Sequence, residues 1–346
     1  MNIPNKVKKL KQLFTEKGAE LYLVGGCVRD YLMNRRIKDY DLATNITPDK
    51  VIEILESNNL RCDKIGAHFG VVIYDKFEIA TFREDVKYND NRKAEVEFNV
   101  TMEEDANRRD FTINAMYMDI DTQKIYDFFG GQNDIKNKVL KAVGDPYLRF
   151  EEDHLRKLRA IRFAIRYDFT IEEKTLQAIK DSPKLNIAKE RVFNELVNMS
   201  KKSSPKLFPI LHETGLDKEI FNQSIGTYFN DKLSFEELLA INVKFNTNFI
   251  YELKFTKDMV NNVMFLQNME TRLNENFIKY LNILKKYNLE HLLIIADQLN
   301  MDTDFIEKCY NYKLKVTVAN IIKQGYKGVD INIQLNKQNL DLIKDI

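Results

Sequence analysis

The chain has no tryptophan, only three cysteines, six prolines and twelve glycines in 346 residues. Each shortage excludes something. Cys27, Cys62 and Cys309 lie far apart with no Cys-x-x-Cys pair, which removes a disulfide framework and a thiolate zinc site and fits the reducing cytoplasm. Scarce Gly and Pro argue against long disordered segments. No apolar run approaches the ~20 residues of a membrane span, and the start, Met-Asn-Ile-Pro-Asn-Lys-Val-Lys-Lys-Leu, carries no apolar secretion signal. Neither export nor a membrane partner is expected. His68, His154, His212 and His291 show no metal-ligand spacing. Net charge is nearly absent as well. With 53 basic and 52 acidic side chains, any nucleic-acid surface has to come from segregated charge.

What is present fits a globular chain of two or three units, 44% hydrophobic and 30% charged. Short β-rich runs mix with helices over the first ~140 residues, and the remainder reads as helix, so an α+β fold is expected. Val7, Leu10, Leu13 and Phe14 recur at helical spacing up to Gly18. Leu21 to Val24 reads as a buried strand, Gly25-Gly26 as a turn, and Cys27 to Met33 as a short helix ending at Asn34. Ile37 to Ala43 is the next predicted strand, and Thr47-Pro48-Asp49 starts a helix. Gly70 to Tyr74 and Phe77 to Phe82 form a predicted hairpin around Asp75-Lys76. Beyond Pro146 a single helix is predicted from Glu151 to Tyr167, burying Leu155, Leu158, Ile161 and Ile165, with more helices to the end.

Chemistry concentrates in the first half. Asp39-Tyr40-Asp41 falls on the predicted strand, where residues two apart share a face and can hold a common cation. An isolated Asp-x-Asp is more often a solvated acidic edge. Just upstream, Gly25-Gly26-Cys27-Val28-Arg29-Asp30 offers free amides to a phosphate and Arg29 as a charged clamp. Together the two motifs are far more specific than either alone. Glu78, on the strand that alternates with Phe77 and Ile79, is a candidate third carboxylate.

At these residues the chain resembles the class II tRNA nucleotidyltransferases, relatives of bacterial poly(A) polymerases, which carry Gly-Gly-x-Val-Arg-Asp followed by Asp-x-Asp. The resemblance continues through Arg108-Arg109-Asp110-Phe111-Thr112-Ile113-Asn114-Ala115-Met116, similar to a motif for triphosphate and ribose recognition. It extends through Asp127-Phe128-Phe129-Gly130-Gly131 into Glu152-Asp153-His154-Leu155-Arg156-Lys157-Leu158-Arg159-Ala160-Ile161-Arg162-Phe163, similar to the nucleotide-selecting motif. Glu190-Arg191-Val192 with Glu195-Leu196 resembles the last motif. The stretch Arg83 to Met102, with Tyr88, Asp90, Arg92 and Phe98, resembles the family's mobile loop; Arg92-Lys93-Ala94 stands where many relatives have Arg-Arg-Pro. The last 146 residues carry no such motif.

The resemblance implies a palm-like head over 1–140, a helical neck over 141–200 with the nucleotide-selecting motif, and a tRNA-binding body and tail over 201–346. It implies Asp39 and Asp41 as catalytic ligands of two Mg2+ ions, and template-independent addition of CMP and AMP to the 3′ end of tRNA from CTP and ATP. An enzyme adding only CC or only A, a poly(A) polymerase and a non-catalytic RNA-binding protein are the alternatives, and no obligate protein partner is evident. Nucleotide contacts are expected from Gly25, Gly26, Arg29, Arg109, Asn114, Asp153, Arg156, Arg159 and Arg162. Arg108 and Arg109 cannot face one way on a helix, so one reaches the triphosphate. The resemblance selects Arg109. Asn114 is either a ribose contact or a helix-end cap.

Asp153 and Arg156 stand three apart, and on a helix they share a face. An acid acceptor beside a basic donor matches the amine and ring acceptor that cytosine and adenine both present, whereas uracil and guanine reverse that order. Arg159 and Arg162 follow in further steps of three, which drift round the helix and bring Arg162 near its apolar side. By resemblance both contact phosphates; snorkelling over the core is the other reading.

Overall fold

A computed structural model describes residues 1–88, 94–202, 204–245 and 255–344, with backbone only for 85–88 and 94–95. Asp90, Arg92 and Lys93 of the expected loop lie outside the described residues, as does the side chain of Tyr88. The chain divides into two compact units, Met1–Asn186 and Ile187–Ile346.

The first unit is built on a seven-stranded mixed sheet. Its strands are β1 (Leu21–Val24), β2 (Leu42–Thr44), β3 (Cys62–Asp63), β4 (Val71–Tyr74), β5 (Phe77–Thr81), β8 (Met116–Asp119) and β9 (Ile125–Asp127), in the order β3-β4-β5-β2-β1-β8-β9. Only β2 and β5 pair in parallel; the other neighbours are antiparallel. β1 sits between β2 and β8 and is buried at all four residues because both sheet faces are covered. Leu21 and Leu23 face one core with Val7, Leu10 and Phe14 of helix α1 (Asn5–Glu16) and Val51 and Leu55 of α3 (Pro48–Ser57). Tyr22 and Val24 face a second with Phe82, Ala106 and Tyr117. Alternation along a single strand thus divides the two hydrophobic layers.

The predicted hairpin forms around Asp75, which takes the left-handed conformation at φ 57°. Strands β6 (Arg83–Tyr88) and β7 (Ala94–Phe98) make a separate antiparallel ribbon. Helix α4 (Met102–Asn107) begins with a capping box between Thr101 and Glu104. After α5 (Gly131–Asn137) the unit is completed by α6 (Pro146–Glu152), α7 (Leu155–Tyr167) and α8 (Glu173–Asp181), and by the short parallel strands β10 (Val139–Leu140) and β11 (Thr170–Ile171).

The second unit is helical throughout its described residues, from α9 (Lys189–Ser200) to a last helix over Val329–Lys344. Several of its helix starts are capped by side chains, among them Ser234, Thr256, Asn288, Asp302 and Thr317. A mixed α/β head followed by a mostly helical region is the α+β architecture expected. No helix among the described residues is long and apolar enough to cross a membrane.

Candidate nucleotidyl-transfer site

The site begins where β1 runs out. Val24 ends the strand, and Gly25 turns the chain with φ 68° and ψ −120°, a conformation open to glycine alone. Its amide donates to the Met116 carbonyl at 3.1 Å. A Cβ added at Gly25 would lie 3.4 Å from Arg109 Nη1 and 3.5 Å from the Asn114 carbonyl, so the turn is pressed against the Arg109 motif. Helix α2 (Gly26–Leu32) starts at the next residue.

The Asp-x-Asp pair lies one step off its predicted place. Asp39, Tyr40 and Asp41 precede β2, which starts only at Leu42. The reason lies in β1: Leu23 pairs with Leu42, Val24 takes the Asp41 carbonyl at 3.0 Å, and Gly25 then turns away, leaving nothing for Asp39 to pair with. Asp39 and Asp41 nevertheless line one cleft of about 520 Å³ with Gly26, Arg29 and Asp30. The parallel register Leu42 to Ile79 sets Asp41 level with Glu78 one residue earlier on each chain. Asp41 is half-buried, and its carboxyl is pushed above the usual carboxylate range by burial first, then by Glu78 and Asp39, against the pull of Arg109 and Arg29. Negative charge gathered in a partly dry cleft is what a hard cation relieves, and oxygen donors suit a small divalent ion. Among the described residues no three acidic, His or Cys side chains close on a single point. Two carboxylates completed by substrate oxygens is the way Mg2+ is ordinarily held.

Behind the cleft runs a chain of bonds joining all three motifs. Arg29 is buried; Nε and Nη2 donate to Asp30 at 3.0 and 2.9 Å, Nη1 donates to the Asn114 side-chain oxygen, and the guanidinium lies over the Tyr167 ring at 4.7 Å. Asn114, the last residue of the 3-10 turn Thr112–Asn114, donates its amide to Asp110 at 3.0 Å. Asp110 also takes Arg159 Nε at 2.8 Å and Nη2 at 2.6 Å. Burial alone would raise the Asp110 carboxyl, but Arg159 and these hydrogen bonds hold it below the usual range.

A second buried acid, Asp105, anchors both adjacent arginines. Its Oδ1 takes Arg108 Nε at 2.9 Å and its Oδ2 takes Arg109 Nη2 at 3.0 Å, with Tyr117 donating to the same carboxylate. Burial opposes ionisation there, yet Arg109 and Arg108 prevail and bring its pKa down to about 2. Arg109 faces Gly25 and acts on Asp41, whereas Arg108 presents its carbonyl to Arg156 Nη2 at 3.0 Å. Asp105 had a signal that the motif reading passed over: it stands three and four residues before two arginines at a helix end.

The predicted helix from Glu151 to Tyr167 is two helices. Asp153 is extended, at φ −148° and ψ 105°, and its carboxylate accepts the Leu155 amide at 3.0 Å, so the acid holds the first amide of α7 from outside the helix instead of lying within it. Asp153 and Arg156 are therefore not two positions of one helical face. Arg156 bonds the Arg149 carbonyl at 3.0 Å and the Glu152 carboxylate. Leu155, Leu158, Ile161 and Ile165 are buried as expected, but so is Lys157, whose ammonium donates to the carbonyls of Ser182 and of Lys184, the latter at 3.0 Å. Arg162 is half-buried and lies over the Phe163 ring at 4.3 Å.

The head sheet, the glycine turn and the acidic cleft define a domain of the nucleotidyltransferase type. A family model described as the poly A polymerase head domain matches residues 21–141, and one described as the probable RNA and SrmB-binding site of polymerase A matches 168–224. A CCA-adding enzyme of Lactobacillus helveticus is 40% identical over 222 residues, 62% of this chain and 55% of that protein. Poly(A) polymerase I of Haemophilus influenzae is 33% identical over 265 residues, 71% of this chain and 57% of that one. The chain spans about half the length of the curated relatives it matches. A crystal structure of the Bacillus stearothermophilus CCA-adding enzyme in complex with CTP superposes with a TM-score of 0.69 at 25% identity, covering 100% of this chain and 94% of that one. The Thermotoga maritima CCA-adding enzyme complexed with tRNA shares the fold at a TM-score of 0.69 and 20% identity, over 99% of this chain and 91% of that one. The chain belongs to the class II tRNA nucleotidyltransferase family, which includes relatives of the bacterial poly(A) polymerases.

Proposed function

We propose that this protein adds CMP and AMP to the 3′ end of tRNA from CTP and ATP without a nucleic-acid template. The observation that carries this reading is the cleft in which Gly26, Arg29, Asp39 and Asp41 meet, backed by the bond chain from Arg29 to Arg159. The RNA 3′-hydroxyl attacks the α-phosphate in line, and pyrophosphate leaves. Asp39 and Asp41 would hold divalent ions, Mg2+ in this reading, which when bound supply activation of a hydroxyl and neutralisation of triphosphate charge.

The chain's own residues do the positioning. Gly25 and Gly26 let the backbone approach the phosphates, and Arg109, fixed by Asp105 and Tyr117, stands beside that turn. Arg159 and Arg162 extend the basic lining along α7 toward the triphosphate. Arg29 keeps two of its five N–H groups beyond those bonded to Asp30 and Asn114, so it orders the motif and still offers charge to a phosphate. Asn114 faces the ribose side of the same network. Asp153 and Arg156, adjoining at the α6–α7 break, read the base edge once Arg156 turns from Glu152. A wrong base leaves buried polar groups unpaired at ~1–3 kcal/mol each, enough for useful rejection. The helical residues 201–346 would carry the tRNA through salt-sensitive backbone contacts.

Incubating the protein with tRNA ending before C, CC or CCA, with CTP and ATP separate and together, tests the reading. Extension to CCA and no further is expected. The resemblance to Haemophilus influenzae poly(A) polymerase I favours a second reading, and long tails made from ATP alone would replace the first with it.

A further inference from the structure

The cleft that holds Asp39 and Asp41 has a wall which none of the motifs accounts for. Arg35, Arg36 and Lys38, on the segment leading from α2 to the acidic pair, and Arg166, near the end of α7, all line it. All four are exposed. Among the described residues none makes an ion pair, in contrast to Arg29, Arg108, Arg109, Arg156 and Arg159, each bonded to a carboxylate. Two of the four are pre-placed: Arg35 and Arg166 lie over the Tyr167 ring at 5.0 and 5.4 Å, the ring that also carries Arg29. The Arg35 backbone is pinned by its amide to the Asp30 carbonyl at 2.8 Å. Asp30, Asp39 and Asp41 line the same cleft, but none of the four cations is bonded to them, so the wall stays open to the phosphates of a polyanion while the acids face the cation they would hold.

We infer that Arg35, Arg36, Lys38 and Arg166 form a docking wall for the phosphodiester backbone of the RNA 3′ end, setting its terminal hydroxyl beside Asp39 and Asp41. The inference rests on the proposed transfer reaction and names the part of the site that takes its second substrate. Two features separate this wall from the nucleotide's phosphates. The triphosphate reading already has Gly25, Gly26, Arg109 and Arg159, whose bonded arginines suit a ligand held in one register. The wall is exposed and, among the described residues, makes no ion pair, which suits a strand that shifts by one phosphate after each addition.

The test is a full-length Arg35→Gln/Arg36→Gln/Arg166→Gln variant, compared with the parent protein and with Arg166→Lys, each checked by its thermal transition. Anisotropy with labelled tRNA lacking its CCA end, without nucleotide, measures RNA affinity; steady-state extension measures KM for CTP. Affinity for RNA is expected to fall roughly 10-fold or more, with the salt slope reduced by about 2 and KM for CTP unchanged, while Arg166→Lys binds as the parent does. A raised KM for CTP or stronger pyrophosphate inhibition with unchanged RNA affinity would assign the wall to the nucleotide, and unchanged values throughout would remove it. If the parent protein extends no RNA, the transfer reading fails by itself, whereas the anisotropy still decides the wall.

Discussion

Arg159 sets its guanidinium on the carboxylate of Asp110, with contacts of 2.6 and 2.8 Å between residues 49 positions apart. The two belong to different motifs, and the bond fixes α7 against the turn that carries Asn114. Asp110→Asn keeps the size and removes the buried carboxylate charge that Arg159 faces. We expect a loss of about 3 kcal/mol in urea unfolding, together with a higher KM for nucleotide. Unchanged stability would show that the pair contributes nothing net.

Asp105 gives a pH signature with a definite sign. Its carboxyl ionises at about 2 when folded against 3.8 as the ordinary value, so its ionised form stabilises the fold above about pH 4. That contribution, on the order of 2 kcal/mol, disappears as the pH falls through about 2. The parent protein should accordingly lose stability faster than Asp105→Asn as the pH is lowered from 5 to 3 in urea titrations. A gap that widens with acid would contradict the assignment.

Nucleotide choice should depend on Asp153. Removing its carboxylate in Asp153→Ala deletes the acceptor of the Leu155 amide and, in the proposed reading, one hydrogen-bond partner of the base. Incorporation of UTP or GTP should appear while CTP incorporation weakens, read from single-nucleotide extension gels. Continued refusal of UTP and GTP would place base selection elsewhere.

Much of the head was legible because it is local. The hairpin around Asp75, helix α1 and strand β1 each follow from patterns complete within a few residues. The displaced pair Asp39 and Asp41 was not, because where β2 starts depends on where β1 turns at Gly25. The break at Asp153 was obscured by apolar spacing that runs on through the cap. Asp110 was visible within a motif, but its bonds to Asn114 and Arg159 need the fold to bring the latter across 49 positions. The burial of Lys157 has no local signature, because its ammonium is received by the carbonyls of Ser182 and Lys184, 25 and 27 positions away.

The central claim, that Asp39 and Asp41 form the reacting centre of the cleft, is tested most directly by single-turnover extension of tRNA lacking its CCA end by Asp39→Ala and Asp41→Ala. Each variant is expected to bind the tRNA as the parent does and to add no nucleotide. Extension at an appreciable fraction of the parent rate by either one would contradict the account.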